Sequence, residues 1–245
     1  AGTTTVKSSS AGTASVGGAG TLTFYNLTFA PTVASAPTFT LGTAGGQTIT
    51  VDGTLTIGDA TNSVIVTGSV NNPTLDINGS LSISTNGTFT APSSVTIADD
   101  FTNNGTFNNS SGTLTFDTTT TSTFNGSGAT SITFFNFTSN TAGKILEFTS
   151  GKTFRVDGLF DVNGTLGNQI HIHSTTASSQ WFINHQGTES ITYAHIHDSG
   201  CDGGSTQVTL ASNASDGGNN GTCWIFQVGK AIKGNTRIQG NVRFK

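Results

Sequence analysis

Charge is what this sequence has least of. Only 9% of its 245 residues are Asp, Glu, Lys or Arg, against about a quarter in an ordinary globular domain, which leaves few groups for surface ion pairs or acid–base chemistry. Methionine is absent and proline occurs four times. No window combines helical spacing with Ala, Leu, Glu and Lys, so essentially no helix is expected. No apolar run approaches the roughly 18 residues that a membrane-crossing helix needs, so no membrane span is expected. The two cysteines, Cys201 and Cys223, lie 22 positions apart in a loop-rich region. Without C-x₂-C spacing a zinc ribbon is excluded, and a single disulfide is the expectation. Such a closure contributes on the order of 3 kcal/mol and points outside the cytoplasm. The opening Ala1-Gly2-Thr3 suits a mature chain after signal cleavage.

What the chain has in abundance is Thr, Ser, Asn, 32 glycines and 17 phenylalanines. Thr favours strands while Asn, Ser and Gly favour turns, a composition of many short strands joined by tight corners. The stretch from Thr153 to His173 shows how these are arranged. Phe154, Val156, Phe160, Val162 and Leu166 alternate with polar residues, and VDGLF and VNGTL place a glycine two positions after a β-branched residue. The period of two makes these strands, and the glycine marks a bend with little room for a side chain. The unit recurs as VDGTL (51–55), VTGSV (66–70) and INGSL (77–81), so the chain reads as a repeat protein.

Apolar strand segments follow one another from Ile49 to Leu210, mostly 15 to 22 residues apart. A coil of about that size, with two or three strands per turn, is the signature of a β-solenoid. Roughly ten coils stacked at about 4.8 Å make a rod near 50 Å long. The VDG, ING and VNG corners, Thr/Asn-rich outer positions and inward Phe over residues 39–210 resemble the right-handed parallel β-helix domains of secreted bacterial surface proteins, adhesins and extracellular filament subunits. The resemblance implies a right-handed coil and a secreted or cell-surface location. The expected fold is therefore all-β and single-domain, a parallel β-helix over residues 21–228. Residues 1–20 are read as a low-complexity N-terminal arm, and residues 229–245 as a basic C-terminal strand. An antiparallel β-sandwich is the rival, because short strands with Asn-Gly turns also describe it.

Candidate chemistry is sparse. Asp52, Asp76, Asp157 and Asp161 are the carboxylates a polysaccharide-acting β-helix would use, yet Asp in a VDG corner is explained by bonding to its own backbone. No catalytic residue is assigned and no enzyme activity is expected. His171, His173, His195 and His197 alternate with isoleucines, so all four imidazoles face outward if the isoleucines face the core. The two pairs are 24 residues apart, about one coil. Side by side they form either a polar ladder, needing no cofactor, or a site for Zn²⁺ or Cu²⁺. Eleven N-x-S/T triplets are near what chance gives in a chain this rich in Asn, Ser and Thr, and argue little for glycosylation.

The composition changes at the C-terminus. Lys230, Lys233, Arg237, Arg243 and Lys245 are five of the nine cations and have no acid among them, whereas residues 1–229 carry 4 basic and 13 acidic groups. With Ile232, Ile238, Val242 and Phe244 interleaved, the segment reads as a strand that adds to an acidic neighbour. An acidic protein with one aromatic in its basic segment is not expected to bind nucleic acid. The expected function is that of a secreted structural protein, a subunit that polymerises with copies of itself into an extracellular or cell-surface filament. An adhesin that binds surface glycans is the alternative, and a polysaccharide lyase or hydrolase comes third.

Overall fold

A computed structural model describes residues 2–126, 131–211 and 213–227. Among these the chain is all β: twenty-nine short strands and no helix. The strands visit three faces in rotation, except that among the described residues Ser215–Gly218 on the first face is followed directly by Trp224–Phe226 on the third. Thr3–Val6, Thr13–Val16 and Thr21–Phe24 make the first coil, and Asn26–Phe29, Thr38–Leu41 and Thr48–Val51 the second. The first face is one unbroken ten-stranded sheet. The second is a five-stranded sheet ending at Thr106–Asn108, followed by a four-stranded sheet of Ser131–Phe134, Thr153–Val156, Trp181–His185 and Ser199–Cys201. The third carries eight strands and then the pair Val208–Leu210 and Trp224–Phe226. The result is a parallel β-solenoid of about nine turns.

The sandwich is ruled out by the ladders themselves. Pairings run parallel from Thr3↔Asn26 to Val208↔Trp224, and the isolated bridge between Thr165 and Asn168 is the antiparallel exception among the described residues. Two findings refine the expected layout. Residues 3–6 and 13–16, in the stretch read as an arm, pair residue for residue with Asn26–Phe29 and Thr38–Leu41, and Val6 and Val16 supply the inward apolar group of each strand. The coils are also longer than the strand spacing indicated. First-face partners Leu27, Leu55, Leu81, Phe101, Phe124 and Phe148 are 20 to 28 positions apart. Each coil holds three strands, so the shorter spacing counted neighbouring faces of one turn as separate turns.

Alternation sends every second side chain inward. Leu27, Leu55 and Leu81 stack on Phe101, Phe124 and Phe148, all at most 2% exposed. The filling changes along the axis from Leu, Ile and Val to aromatics. Phe124 stacks on Phe148 with centroids 4.4 Å apart, and Phe148 on Trp181 at 4.3 Å. Such pairs add about 0.5–1.5 kcal/mol each beyond the area they bury.

The corners explain the VDG unit. Asn26 accepts a hydrogen bond from the backbone N–H of Thr54 at 2.8 Å, and Asn136 accepts one from Leu159 at 2.8 Å. In both cases the amide oxygen occupies the space where a Cβ of Gly53 or Gly158 would lie. The glycine is therefore empty so that an asparagine of the preceding coil can satisfy the next corner's donor. Strand ladders bind coils along the faces, and these amides continue the bonding around the bends.

Candidate functional site

The disulfide forms between Cys201 and Cys223, with Cα atoms 5.9 Å apart. It ties the last strand of the four-stranded sheet to the segment leading into Trp224–Phe226. A formed disulfide fits an oxidising, non-cytoplasmic compartment. Lys230, Ile232, Lys233, Arg237, Ile238, Val242, Arg243, Phe244 and Lys245 lie outside the described residues.

The four histidines sit together on the first face. His171 is the register partner of His195, with Ile170, Ile172 and Ile196 fully buried beneath. Ring centroids are 5.2 Å apart for His171 and His195 and 4.8 Å for His173 and His197. The second pair is stacked at 13°, and stacked imidazoles hold their in-plane lone pairs parallel, so these do not converge on one point. Their nitrogens also have neighbours: His195 Nδ1 lies 2.9 Å from Ser215 Oγ, His197 Nδ1 3.1 Å from Asp198 and His173 Nε2 3.7 Å from Glu147. Among the described residues no group of three or more His, Cys, Asp or Glu is arranged to hold a metal ion. Burial first, then the neighbouring imidazoles, hold His171 and His195 below the usual histidine value. Burial pushes the Asp198 carboxyl up, but hydrogen bonds from Asn219, His197 and the Ser178 N–H outweigh it and leave the group more acidic than usual.

Of the four candidate carboxylates, Asp52 and Asp76 lie near enough to one another to interact. Asp52 accepts from Asn78 at 3.2 Å, and Asp161 from Asn140 at 2.8 Å, both across coils. Asp76 faces outward on the third face, where burial, Asp117 and Asp52 push its carboxyl up. Asp157 stands apart from these. It lies at a corner of the second face and accepts from Arg155 Nε at 2.5 Å. Register brings Thr133, Arg155 and Asn184 into one outward column, and Asn184 donates to Asp202 at 2.6 Å. A second outward column alongside runs Ser131, Thr153, Phe182 and Gly200.

Three clefts run together along this face. One of about 490 Å³ is lined by Thr133, Arg155, Asp157, Asn184 and Asp202. It shares Thr133 and Asp157 with a cleft of about 330 Å³ beside Phe107 and Phe135. On its other side it shares Thr153 and Asp202 with one of about 410 Å³ beside Lys152 and Phe182. Asn184 and Asp202 carry no motif; a cation at an outward strand position, Arg155 in a chain with nine cations, is the one signal in the sequence that marks the face.

Lys144 is the other feature that motifs do not reveal. Its side chain is fully buried, and Nζ donates to the carbonyls of Thr118 and Thr120 at 3.0 Å and Ala98 at 3.3 Å. Burial lowers its pKa to about 8, against the opposing pull of Asp117, Asp99 and Asp100. This lysine links three successive coils and lines none of these three clefts.

No protein-family model, curated protein or solved structure matches the chain.

Proposed function

We propose that the chain is a secreted structural protein whose solenoids stack head to tail into an extracellular filament. One observation carries the reading: among the described residues, the first coil has three parallel edges with no strand on their outer side. Thr3–Val6, Thr13–Val16 and Thr21–Phe24 each stand at the end of a sheet. Val6, Val16 and Phe24 are only partly buried against the core. Natural proteins protect such edges with Lys, Pro or inward-pointing charges, and these three strands contain no charged residue and no proline. At the far end, Ser215–Gly218 and Trp224–Phe226 also have one unpaired side among the described residues. A second copy laid on the first coil would continue the ladders of the first and third faces and cover the inward apolar groups.

Two features support a location outside the cytoplasm and association between copies. The disulfide fits an oxidising compartment. The basic segment 229–245 has its five cations to set against a remainder with 4 basic and 13 acidic groups, which favours encounter between copies at low salt.

The test is to charge the open edge. Val16→Lys and Leu22→Lys put an ammonium into the mouth of the first coil while the coils beyond keep their cores. Sedimentation velocity is expected to show assemblies for the native chain and single folded subunits for the variants. A native chain that stays monomeric at high concentration, or variants that assemble unchanged, would overturn the proposal.

A further inference from the structure

We propose that the second face carries a binding groove for a neutral oligosaccharide, centred on Arg155, Asp157, Asn184 and Asp202. The inference is independent of assembly, because the groove lies on the side of the rod and not at its ends.

Shape comes first. The three clefts join through shared walls at Thr133 with Asp157 and Thr153 with Asp202, and together they cross the coils from Phe107 to Asp202. Five coils stacked at about 4.8 Å give a trough roughly 19 Å long, parallel to the solenoid axis. A linear chain of small rings fits such a trough; a single small molecule leaves most of it empty.

The polar groups select the ligand class. Arg155 binds Asp157 through Nε alone, with its side chain 41% exposed and that of Asp157 33%, so the outer edge of the guanidinium still faces the cleft. Asn184 is held between Gln186, which donates to its oxygen at 2.6 Å, and Asp202, which accepts from its nitrogen at 2.6 Å. Planar guanidinium, carboxylate and amide groups fixed in this way offer paired donors and acceptors, the complement of adjacent sugar hydroxyls that donate and accept together. Phe135 and Phe182, each half-buried beside its cleft, supply apolar surface for the C–H faces of the rings.

Charge and backbone narrow the choice further. Lys152 and Arg155 balance Asp157 and Asp202 within the groove, so no surplus positive charge draws a polyuronate or a nucleic acid. The backbone groups of Thr153–Val156 and Trp181–His185 are already engaged in the ladders on both sides. A peptide therefore cannot add as a strand across this face.

The experiment is isothermal titration and ligand-observed NMR on the full chain, with neutral gluco-, manno- and xylo-oligosaccharides and an oligogalacturonate as the charged comparison. At least one neutral series is expected to bind, more tightly as the oligomer lengthens. Arg155→Ala and Asn184→Ala each lose a charge-assisted or paired contact and are expected to weaken binding about tenfold or more. Phe182→Ala is expected to weaken it as well. All three side chains point outward, so each variant should melt as the native chain does, which separates loss of binding from loss of fold. Thr50→Ala on the third face serves as the control that leaves binding unchanged. Failure of every neutral oligosaccharide to bind, preferential binding of the oligogalacturonate, or full binding by Arg155→Ala and Asn184→Ala would each overturn the proposal.

Discussion

Replacing Lys144 with methionine keeps an unbranched stem in the corner and removes the ammonium that holds three coils together. At neutral pH two effects oppose each other. The Thr118 and Thr120 carbonyls lose their donor, at about 1–3 kcal/mol for each group left unpaired. The Ala98 carbonyl keeps the Thr118 hydroxyl at 2.6 Å and loses little. Against this, the variant escapes the penalty of burying a charge. A pKa lowered from 10.5 to about 8 corresponds to roughly 3 kcal/mol. The net change at pH 7 then lies between about 1 kcal/mol of stabilisation and about 3 kcal/mol of destabilisation. The pH dependence is sharper. The folded pKa is depressed, so between about pH 8 and 10.5 the unfolded chain holds more protons than the folded one, and native stability rises with pH through that window. The neutral amine still donates to the carbonyls. Urea unfolding followed by circular dichroism should therefore show the native chain gaining on Lys144→Met by about 3 kcal/mol from pH 7 to above 10.5. Taking the difference between the two chains cancels the other titrating groups. A difference that is flat or shrinks with pH would refute the account of Lys144 as a buried ammonium.

The remaining predictions concern the histidine face, the disulfide and the corners. His171 and His195 sit below the usual histidine value, so the unfolded chain takes up protons first as pH falls below about 6.5; stability should drop there and level off below the folded values. Melting temperature measured from pH 7.5 downwards should show this slope, and His171→Gln with His195→Gln should remove it. Reducing Cys201–Cys223 should lower stability by roughly 3 kcal/mol, as expected for its loop length, and intact mass should rise by two hydrogens. Gly187→Ala places a methyl against the Gly158 carbonyl oxygen and should cost about 1–3 kcal/mol in urea unfolding, whereas Gly2→Ala, with nothing nearby, should cost almost nothing.

How much of this was legible in the sequence depended on whether the signal was local. Alternation within VDGLF and FRV marked strands, and the corner glycine announced a close approach, because both are set by residues two or three positions apart. The isoleucines flanking the four histidines fixed their outward direction, and a spacing of 24 matched the register of His171 with His195. Of the first coil only Thr21–Phe24 was legible, because Thr3–Val6 and Thr13–Val16 show one sizeable apolar residue each, too little to declare a strand without the coil beneath it. The groove was hidden for a different reason. Thr133 to Arg155 spans 22 positions and Arg155 to Asn184 spans 29, so no fixed period aligns the column. Lys144 was invisible for the same reason: its acceptors lie 24, 26 and 46 positions away, and backbone carbonyls leave no mark in a sequence.

The central claim is that the open first coil is a polymerisation surface, and electron microscopy of the purified full chain tests it most directly. Head-to-tail stacking predicts unbranched filaments one solenoid wide, many times longer than the roughly 45 Å of a single nine-turn rod, with diffraction at about 4.8 Å along the axis. A field of separate short rods at every concentration, in oxidising buffer at low salt, would contradict it.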